Sequence, residues 1–459
     1  MDLQVVILAA GQGKRMHSAL PKVLHELGGT PLLAHVIQTA RTLSERPPIV
    51  VHGHGGEQLM AALGEEELVW VEQEQQLGTG HAVLQALPSI DTSADVLVLY
   101  ADVPMLRPAT LEQLVAKRAA RNAELCVLTA VLDDADGYGR IVRDPVSDTL
   151  LQIVEDKDAS DAQREINEIN TGIMLMRGED LHRWLPSLEN HNAQGEYYLT
   201  DCVEVAVADG HTVVAYTADD AHETMGINNR LQLAQAERNY QQRLANQLML
   251  GGVTLADPLR CDVRGSLSCG KDVLIDVNAV FVGEVVLGDG VTIGPNVVLT
   301  NTQIGSGAKI LANCVIEAAQ IGEHCEIGPF SRIRPETRLE AGAKIGNFVE
   351  VKKSHIGPGS KVNHLAYVGD AEIGSKVNVG AGTITCNYDG ANKHKTVIED
   401  GAFIGSDSQL VAPVRIGRGV TVGAGTTVTQ DVEPEVLVIS RVKQKTISNW
   451  SRPKKTPKN

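Results

Sequence analysis

The 459-residue sequence predicts two folds in tandem, an α/β domain with a mixed, mostly parallel sheet followed by a parallel β-helix. Three observations carry this. Short apolar runs alternate with helical patterns over the first ~227 residues, a polar stretch without Gly or Pro follows, and from about Val273 aliphatic residues recur every six positions.

In the first region, Val5 to Ala10, Pro48 to His52, Leu68 to Glu72, Val96 to Tyr100, Leu125 to Val131 and Thr212 to Tyr216 read as strands. Ala34 to Leu43, Thr110 to Arg121 and Tyr198 to Asp209 read as helices. Such alternation builds a sheet flanked by helices, and ligands of these sheets sit at the carboxyl ends of strands. Asn229 to Leu250 is rich in Gln, Ala, Leu and Arg, which suits a helix of ~33 Å, and it stops at Gly251-Gly252. The expected organisation is a first domain over 1–228, a connecting helix over 229–250, a β-helix over 251–440 and a basic tail over 441–459.

The six-residue series runs through Ile275, Phe281, Leu287, Ile293 and Leu299, slips by one, and resumes at Ile304. From Ile321 it keeps six through Ile327, Ile333, Leu339 and Ile345 to Val351, and it continues with further slips to Val428. One inward aliphatic and one turn-permissive residue per hexad is the pattern of a parallel β-helix, each hexad being one face and three faces closing a coil. A stack of aliphatic side chains leaves no room for aromatic rings, which accounts for 44 Gly beside only 3% aromatic residues. Thr385 to Lys395 breaks the period with polar, turn-forming residues, so a loop expelled from the coil is expected there. Loops on rigid scaffolds often carry function.

Charge is unevenly placed within the net −16: residues 1–250 hold 18 Lys and Arg against 36 Asp and Glu, and the remainder 23 against 21. No broad positive field draws nucleic acid to the front half, and an anionic ligand there needs local cations, backbone N–H groups or a metal. Seven cysteines without C-x-x-C or paired His spacing read as reduced thiols rather than zinc ligands or disulfides. The N-terminal apolar run of six residues is too short for a signal peptide or a membrane span, no later run is long enough either, and a cytoplasmic protein is expected.

The turn Leu8-Ala9-Ala10-Gly11-Gln12-Gly13-Lys14-Arg15-Met16 follows a strand and leads to Pro21-Lys22. Its glycines let the backbone approach a phosphate, and Arg15 and Lys22 supply cations. P-loop spacing and the third Gly of a dinucleotide fingerprint are both missing, and a plain structural turn is the competing reading. Val96 to Asp102 is a buried strand ending in a carboxylate, suited to Mg²⁺ beside a polyphosphate or to a helix cap. Asn228 offers a second oxygen, or merely caps the long helix after it. Gln73 with Leu77-Gly78-Thr79-Gly80 sets an amide that both donates and accepts beside a turn that admits a flat base. In the β-helix, His364 has Arg334, Lys352 and Lys353 one or two coils before it and Asn378 within the next. Residues 17 or 18 apart stack on one face, so Arg334, Lys352 and Tyr367 can share a wall, although charges solvating the outside of a coil would look the same.

Taken together, LAAGxGxRM…PK, QxxxLGTGHA, Tyr100-Ala101-Asp102, GYGR at 137–140, Glu155, NTG at 170–172 and the hexapeptide half resemble the bacterial bifunctional N-acetylglucosamine-1-phosphate uridyltransferase and glucosamine-1-phosphate acetyltransferase family. The resemblance spans nearly the whole chain. It implies a Rossmann-like nucleotidyltransferase domain and a left-handed β-helix. It implies that Leu8, Ala9, Ala10, Gly11, Arg15, Lys22, Gln73, Gly78, Thr79, Tyr100, Ala101 and Asp102 hold UTP, that Asp102 and Asn228 hold Mg²⁺, and that Gly137, Glu155 and Asn170 take up the N-acetylglucosamine moiety.

For the second half the resemblance implies that His364 is the base for acetyl transfer from acetyl-CoA to glucosamine 1-phosphate. The amine is an ammonium ion at neutral pH, and an imidazole titrates in the range that can relieve it of a proton. Arg334, Lys352, Tyr367 and Asn378 would bind the sugar phosphate, and Ala381, Asn387, Tyr388, Ser406, Ala424 and Arg441 would line the acetyl-CoA site. Glu350 would orient the imidazole or hold the substrate. The product, N-acetylglucosamine 1-phosphate, would attack UTP in the front half, giving diphosphate and the UDP-N-acetylglucosamine used for peptidoglycan and lipopolysaccharide precursors. A homotrimer with sites between subunits is also implied. Two rivals remain at this stage: a single-activity sugar-nucleotide pyrophosphorylase with a structural or regulatory β-helix, and a solenoid scaffold. The basic tail either clamps the CoA phosphates or is a solubilising end.

Overall fold

The computed structural model describes residues 2–11, 13–53, 55–64, 67–144, 149–440 and 442–453. The chain forms two compact units, Met1–Arg243 and Leu244–Asn459. Among the described residues, no helix is long and apolar enough to cross a membrane.

Among the described residues, the main sheet of the first unit has nine strands: β1 (Leu3–Ala9), β2 (Ile49–His52), β3 (Val69–Glu72), β4 (Asp95–Tyr100), β5 (Leu125–Val131), β6 (Arg140–Arg143), β7 (Leu150–Val154), β8 (Glu168–Arg177) and β9 (Val213–Thr217). Their order is β9-β5-β8-β4-β1-β2-β3, with the β6–β7 hairpin attached to β8. All seven residues of β1 are buried, because alternate side chains enter two different cores. Val6 and Leu8 join Val96, Val98 and Met174 on one face, while Val5 and Ile7 join Leu97, Leu99 and Leu33 on the other. The pairings are parallel except around β8, which runs antiparallel to β4 and β5, and in the β6–β7 hairpin. That strand was not legible in the sequence, since Asn170-Thr171-Gly172 interrupts its apolar run and the register shifts between Asn170 and Met174.

The long helix Arg230–Leu250 starts one residue beyond Asn229, whose side chain accepts the Gln232 N–H at 2.9 Å. Asn229 is therefore the cap, and Asn228 is freed from that duty. Leu233, Ala236 and Tyr240 of this helix pack on Leu27, Leu32, Met105 and Ile227.

The second unit is a left-handed parallel β-helix. One wall is an eleven-stranded parallel ladder, and the other two belong to a single sixteen-stranded sheet joined through Val298–Ile304. Arg332, Glu350, Tyr367 and Ile384 stand in one register at steps of 17 or 18 residues, as the hexad arithmetic requires. The inward residues from Ile275 to Val428 are all buried, with the whole series lying in one continuous core. One feature departs from expectation, and one lies within the expected 251–440 bounds but ahead of the visible period. Phe281 fits inside the prism at 1% exposure, so an aromatic ring is accommodated near the start of the coil. A first coil containing Thr254–Leu255 and Cys261–Cys269 also precedes the residue where the period becomes visible.

Corners impose left-handed backbone, and Asn meets this need while bonding its neighbours. Asn278, Asn296 and Asn313 all have φ near +60° and form a ladder with amide contacts of 2.8 and 3.1 Å. Between Asn378 and Phe403 the register advances 25 residues instead of 17 or 18, and the surplus is the loop between strands Ile384–Cys386 and Thr396–Ile398.

Candidate functional site

The first unit carries a cavity of about 290 Å³ at the carboxyl ends of β1 and β4, lined by Leu8 to Gly11, Lys22, Gln73, Gly78, Thr79, Tyr100 and Asp102. Ala101 donates to the Leu8 carbonyl at 3.0 Å, which continues the strand pairing and delivers Asp102 to the rim. Lys22 reaches the same point. Its Nζ lies 2.5 Å from Asp102 Oδ2 and 3.2 Å from Asn228 Oδ1, and Arg15 donates to that Asn228 oxygen at 3.0 Å. Gly13 makes this approach possible: its φ is +59°, and a Cβ there would stand 2.6 Å from Lys22 Cβ. Asn228 is brought in by the Ile227 N–H, which donates to the Asp102 carbonyl at 2.9 Å. Gln12 of the predicted turn lies outside the described residues.

The base-admitting turn is equally constrained. Gly78 has φ +111°, and a Cβ there would meet the Tyr197 carbonyl oxygen at 2.5 Å. Thr79 Oγ1 accepts the Leu199 N–H at 3.1 Å, and Gln73 is buried. Gln76 and Glu196, which the sequence did not single out, also line the cavity.

Beyond Tyr100, Gly139 links the sugar-side residues: Asn170 donates its N–H to the Gly139 carbonyl at 2.8 Å, and a Gly139 Cβ would stand 3.4 Å from both Glu155 carboxylate oxygens. Gly137 has φ +81° and open space around it. A Cβ on Gly172 would strike the Tyr100 ring at 2.6 Å. Burial raises the Glu155 carboxyl above its ordinary range, and burial together with Glu155 and Asp102 raises the Tyr100 phenol.

Among the larger cavities elsewhere in this unit are two that border Met225 or Glu155. One of about 650 Å³ is bordered mainly by Met105, Met225, Ile227 and the helix residues near Ala236, with no grouping of phosphate-binding cations. The other, about 480 Å³, adjoins Glu155 and holds Asp158, Asp201 and Glu204. Burial, then Glu204, Glu155 and Asp158, push the Asp201 carboxyl from 3.8 up to about 6. The folded state thus binds the Asp201 proton more tightly than the unfolded chain, and this contribution is present below pH 3.8 and lost as pH rises through about 6. Asp201→Asn is therefore expected to raise the melting temperature at pH 7 and to leave it nearly unchanged at pH 4, as thermal melts at the two pH values will show.

In the second unit, His364 is exposed at the end of strand Lys361–His364, in register with Asn347 one coil below on the same wall. It stands outside the prism. Asn378 is on the same wall, in register with Lys361. Arg334, Lys352 and Tyr367 share the adjoining wall, around the corner made by Leu365. Glu350 accepts from Arg334 NH1 at 2.8 Å and makes no hydrogen bond to His364, so its place is beside the cation, not beside the imidazole.

The expelled loop folds back on this wall. Asn387 is buried, with Nδ2 2.5 Å from Asp370 Oδ2 and 3.5 Å from the Tyr367 hydroxyl. Tyr388 is exposed and its hydroxyl donates to the Gly390 carbonyl at 2.6 Å. Lys393 bridges back to Tyr388 and lies against Lys352, which pushes the Lys393 ammonium below its ordinary range. Two ammonium groups held together favour an anion between them. Sequence reasoning missed Lys393 and Asp370, because both act through a loop whose return path no periodicity encodes.

Ala381, Ser406 and Ala424 continue the His364 column upward: Gly382 donates to the His364 carbonyl, Asp407 to that of Ala381 and Gly425 to that of Ser406. The side chains at these levels are small, and those of Ser406 and Ala424 are exposed. Arg441 lies outside the described residues.

Comparison with known proteins agrees with this division. Residues 5–169 match the MobA-like NTP transferase domain, and 268–301, 301–335 and 395–430 match the bacterial transferase hexapeptide of six repeats. The bifunctional protein GlmU of Nitrosospira multiformis is 55% identical over 456 residues, covering 99% of each chain. Those of Cupriavidus pinatubonensis, 56% identical over 99% of this chain and all of its own, and Methylococcus capsulatus, 54% identical over all of this chain and 99% of its own, are similar throughout. The chain belongs to the bifunctional GlmU family. It is a two-activity transferase, and the two halves of the GlmU family correspond here to separate chemistries. The NTP transferase match contains the turn, Gln73 and Asp102, and the hexapeptide matches flank the wall that carries His364.

Proposed function

We propose that the second unit acetylates glucosamine 1-phosphate with acetyl-CoA and that the first unit transfers uridylyl from UTP to the resulting N-acetylglucosamine 1-phosphate. One observation carries this reading most directly: a solvent-facing His364 stands across the Leu365 corner from a wall holding Arg334 and Lys352, with Lys393 of the expelled loop against Lys352. Arg334, Lys352 and Tyr367, with Asn378, hold the sugar phosphate. His364 takes the proton as the amine nitrogen attacks the thioester carbonyl, the C–S bond breaks, and the CoA thiolate leaves. Ala381, Ser406, Ala424, Asn387, Tyr388 and Arg441 receive acetyl-CoA. The column from His364 to Ala424 spans three coil steps, about 14 Å, which suits an extended thioester arm.

In the first unit, Gly11 and the neighbouring backbone of Leu8 to Ala10 seat the UTP phosphates, with Arg15 and Lys22 as cations and Gln73, Gly78 and Thr79 at the base. Tyr100 and Ala101 form the floor, and Gly137, Glu155 and Asn170 receive the acetylated sugar. The sugar phosphate needs no base. Its oxygen attacks the α-phosphorus and diphosphate departs, so positioning and charge neutralisation supply the catalysis. Asp102 and Asn228 fit Mg²⁺, since their two hard oxygens already converge on the Lys22 ammonium at 2.5 and 3.2 Å. When bound, the ion would neutralise polyphosphate charge.

The same reading assigns a homotrimer. His364 and Arg334 occupy adjoining walls of a convex prism, which diverge from the Leu365 corner, so a neighbouring copy is needed to enclose the substrate. Phe330 and Phe348, stacked at 5.3 Å and about half exposed, mark an apolar strip nearby that a neighbour would cover. Seven free thiols suit a reducing, cytoplasmic setting.

Incubation with acetyl-CoA, glucosamine 1-phosphate, UTP and Mg²⁺ is expected to yield UDP-N-acetylglucosamine by mass spectrometry, with CoA release dependent on the sugar phosphate. Uridylyl transfer without that CoA release would instead establish the single-activity reading.

A further inference from the structure

His81 makes no contact assigned above, yet it is the only titratable side chain bonded to Gln73 among the described residues. Gln73 Nε2 lies 3.1 Å from the Gly78 carbonyl oxygen and 3.0 Å from His81 Nδ1. A carbonyl only accepts, so the atom facing it is the amide nitrogen. Both N–H bonds of that nitrogen are then engaged, one by Gly78 and one by the Nδ1 lone pair. With Nδ1 accepting, the other ring nitrogen, Nε2, carries the proton; the Gln85 amide nitrogen stands 3.2 Å from it, so a half-turn of that amide brings the Gln85 oxygen into the accepting place. His81 and Gln85 are four residues apart on the helix Thr79–Ala86 and so share one of its faces. Tyr197 lies against the imidazole with ring centroids 6.3 Å apart, and the Gln73 N–H donates to the His52 carbonyl at 2.8 Å.

With the nitrogen fully occupied, the group Gln73 has left for a ligand is Oε1, and among the described residues no donor satisfies it. We infer that His81 is a positioning residue that fixes the Gln73 amide with its oxygen towards the base and thereby selects uracil over cytosine. Uracil presents N3–H, a donor, to that oxygen. Cytosine presents a bare N3 lone pair at the same place, acceptor against acceptor. Selection between the two pyrimidines therefore depends on an imidazole one layer behind the group that touches the base. This rests on the reading of the 290 Å³ cavity as the uridine site.

The test compares uridylyl transfer from UTP with cytidylyl transfer from CTP, as kcat/KM, in wild type, His81→Leu, His81→Asn and Gln73→Ala. A thermal melt and the far-ultraviolet circular dichroism of each preparation report that the first unit is folded. His81→Leu frees the amide to rotate and is expected to lower the UTP-to-CTP ratio by about tenfold or more, mainly through a higher KM for UTP. His81→Asn keeps an acceptor near the Nδ1 position and is expected to recover most of the ratio. If His81→Leu slows both nucleotides equally with the ratio intact while Gln73→Ala collapses it, His81 has only a structural role and the inference fails. If Gln73→Ala leaves both the ratio and the KM for UTP unchanged, it is the uridine-site reading that fails.

Discussion

His364→Ala is expected to lower acetyl transfer by about 10²–10⁴-fold, the usual contribution of a general base, while uridylyl transfer assayed with supplied N-acetylglucosamine 1-phosphate stays at the wild-type rate. The ring is exposed and makes no hydrogen bond among the described residues, so its removal belongs with surface changes that move stability by about 0.5 kcal/mol or less. The loss is therefore chemical. Next to it, Leu365 and the Asn347 register partner stay in place, and the Arg334–Glu350 pair is on another wall. Substrate binding should survive better than turnover, so kcat falls more than KM rises. Retained acetyl transfer would remove His364 from the mechanism, and loss of both activities in a folded variant would point to a damaged assembly.

How much of this was readable beforehand depends on whether a residue's place follows from a period. The β-helix core was legible position by position, since one inward residue per six leaves no freedom of register: Ile327, Ile333, Leu339 and Ile345 could be placed without coordinates. The shared wall of Arg334, Lys352 and Tyr367 followed from coil spacing. The column of Ala381, Ser406 and Ala424 above His364 did not, because one step in it is 25 residues and the surplus loop has to be recognised first. Lys393 was invisible for the same reason. In the first unit, strands at the sheet centre were legible from continuous apolar runs, whereas β8 was hidden by the polar Asn170-Thr171-Gly172 that its bulge requires. Asn228 was ambiguous with a helix cap until Asn229 took that role, an offset of one residue that propensity does not resolve. His81 escaped because its partner is another side chain, and no spacing rule predicts an amide held from behind.

Lys22→Ala is expected to reduce kcat/KM for uridylyl transfer by about 10²–10³-fold, or about 3–4 kcal/mol, with acetyl transfer unchanged. In a region holding 18 basic against 36 acidic residues, the triphosphate meets a repulsive background, and Lys22 is the cation placed between both candidate metal oxygens. Its side chain is 11% exposed and that of Asp102 18%, so solvent does little to replace the lost charge. Lys22→Arg should not restore activity fully, because a planar guanidinium cannot occupy the compact position of an ammonium between Asp102 and Asn228. Gly13→Ala provides an independent check that leaves the charge present: the added Cβ would lie 2.6 Å from Lys22 Cβ in a backbone with φ +59°, so Lys22 must shift. Diphosphate release across a range of Mg²⁺ concentrations measures all three variants. A near-normal Lys22→Ala rate would exclude Lys22 from the transfer, whereas a deficit in Gly13→Ala intermediate between wild type and Lys22→Ala would show that position as well as charge is required.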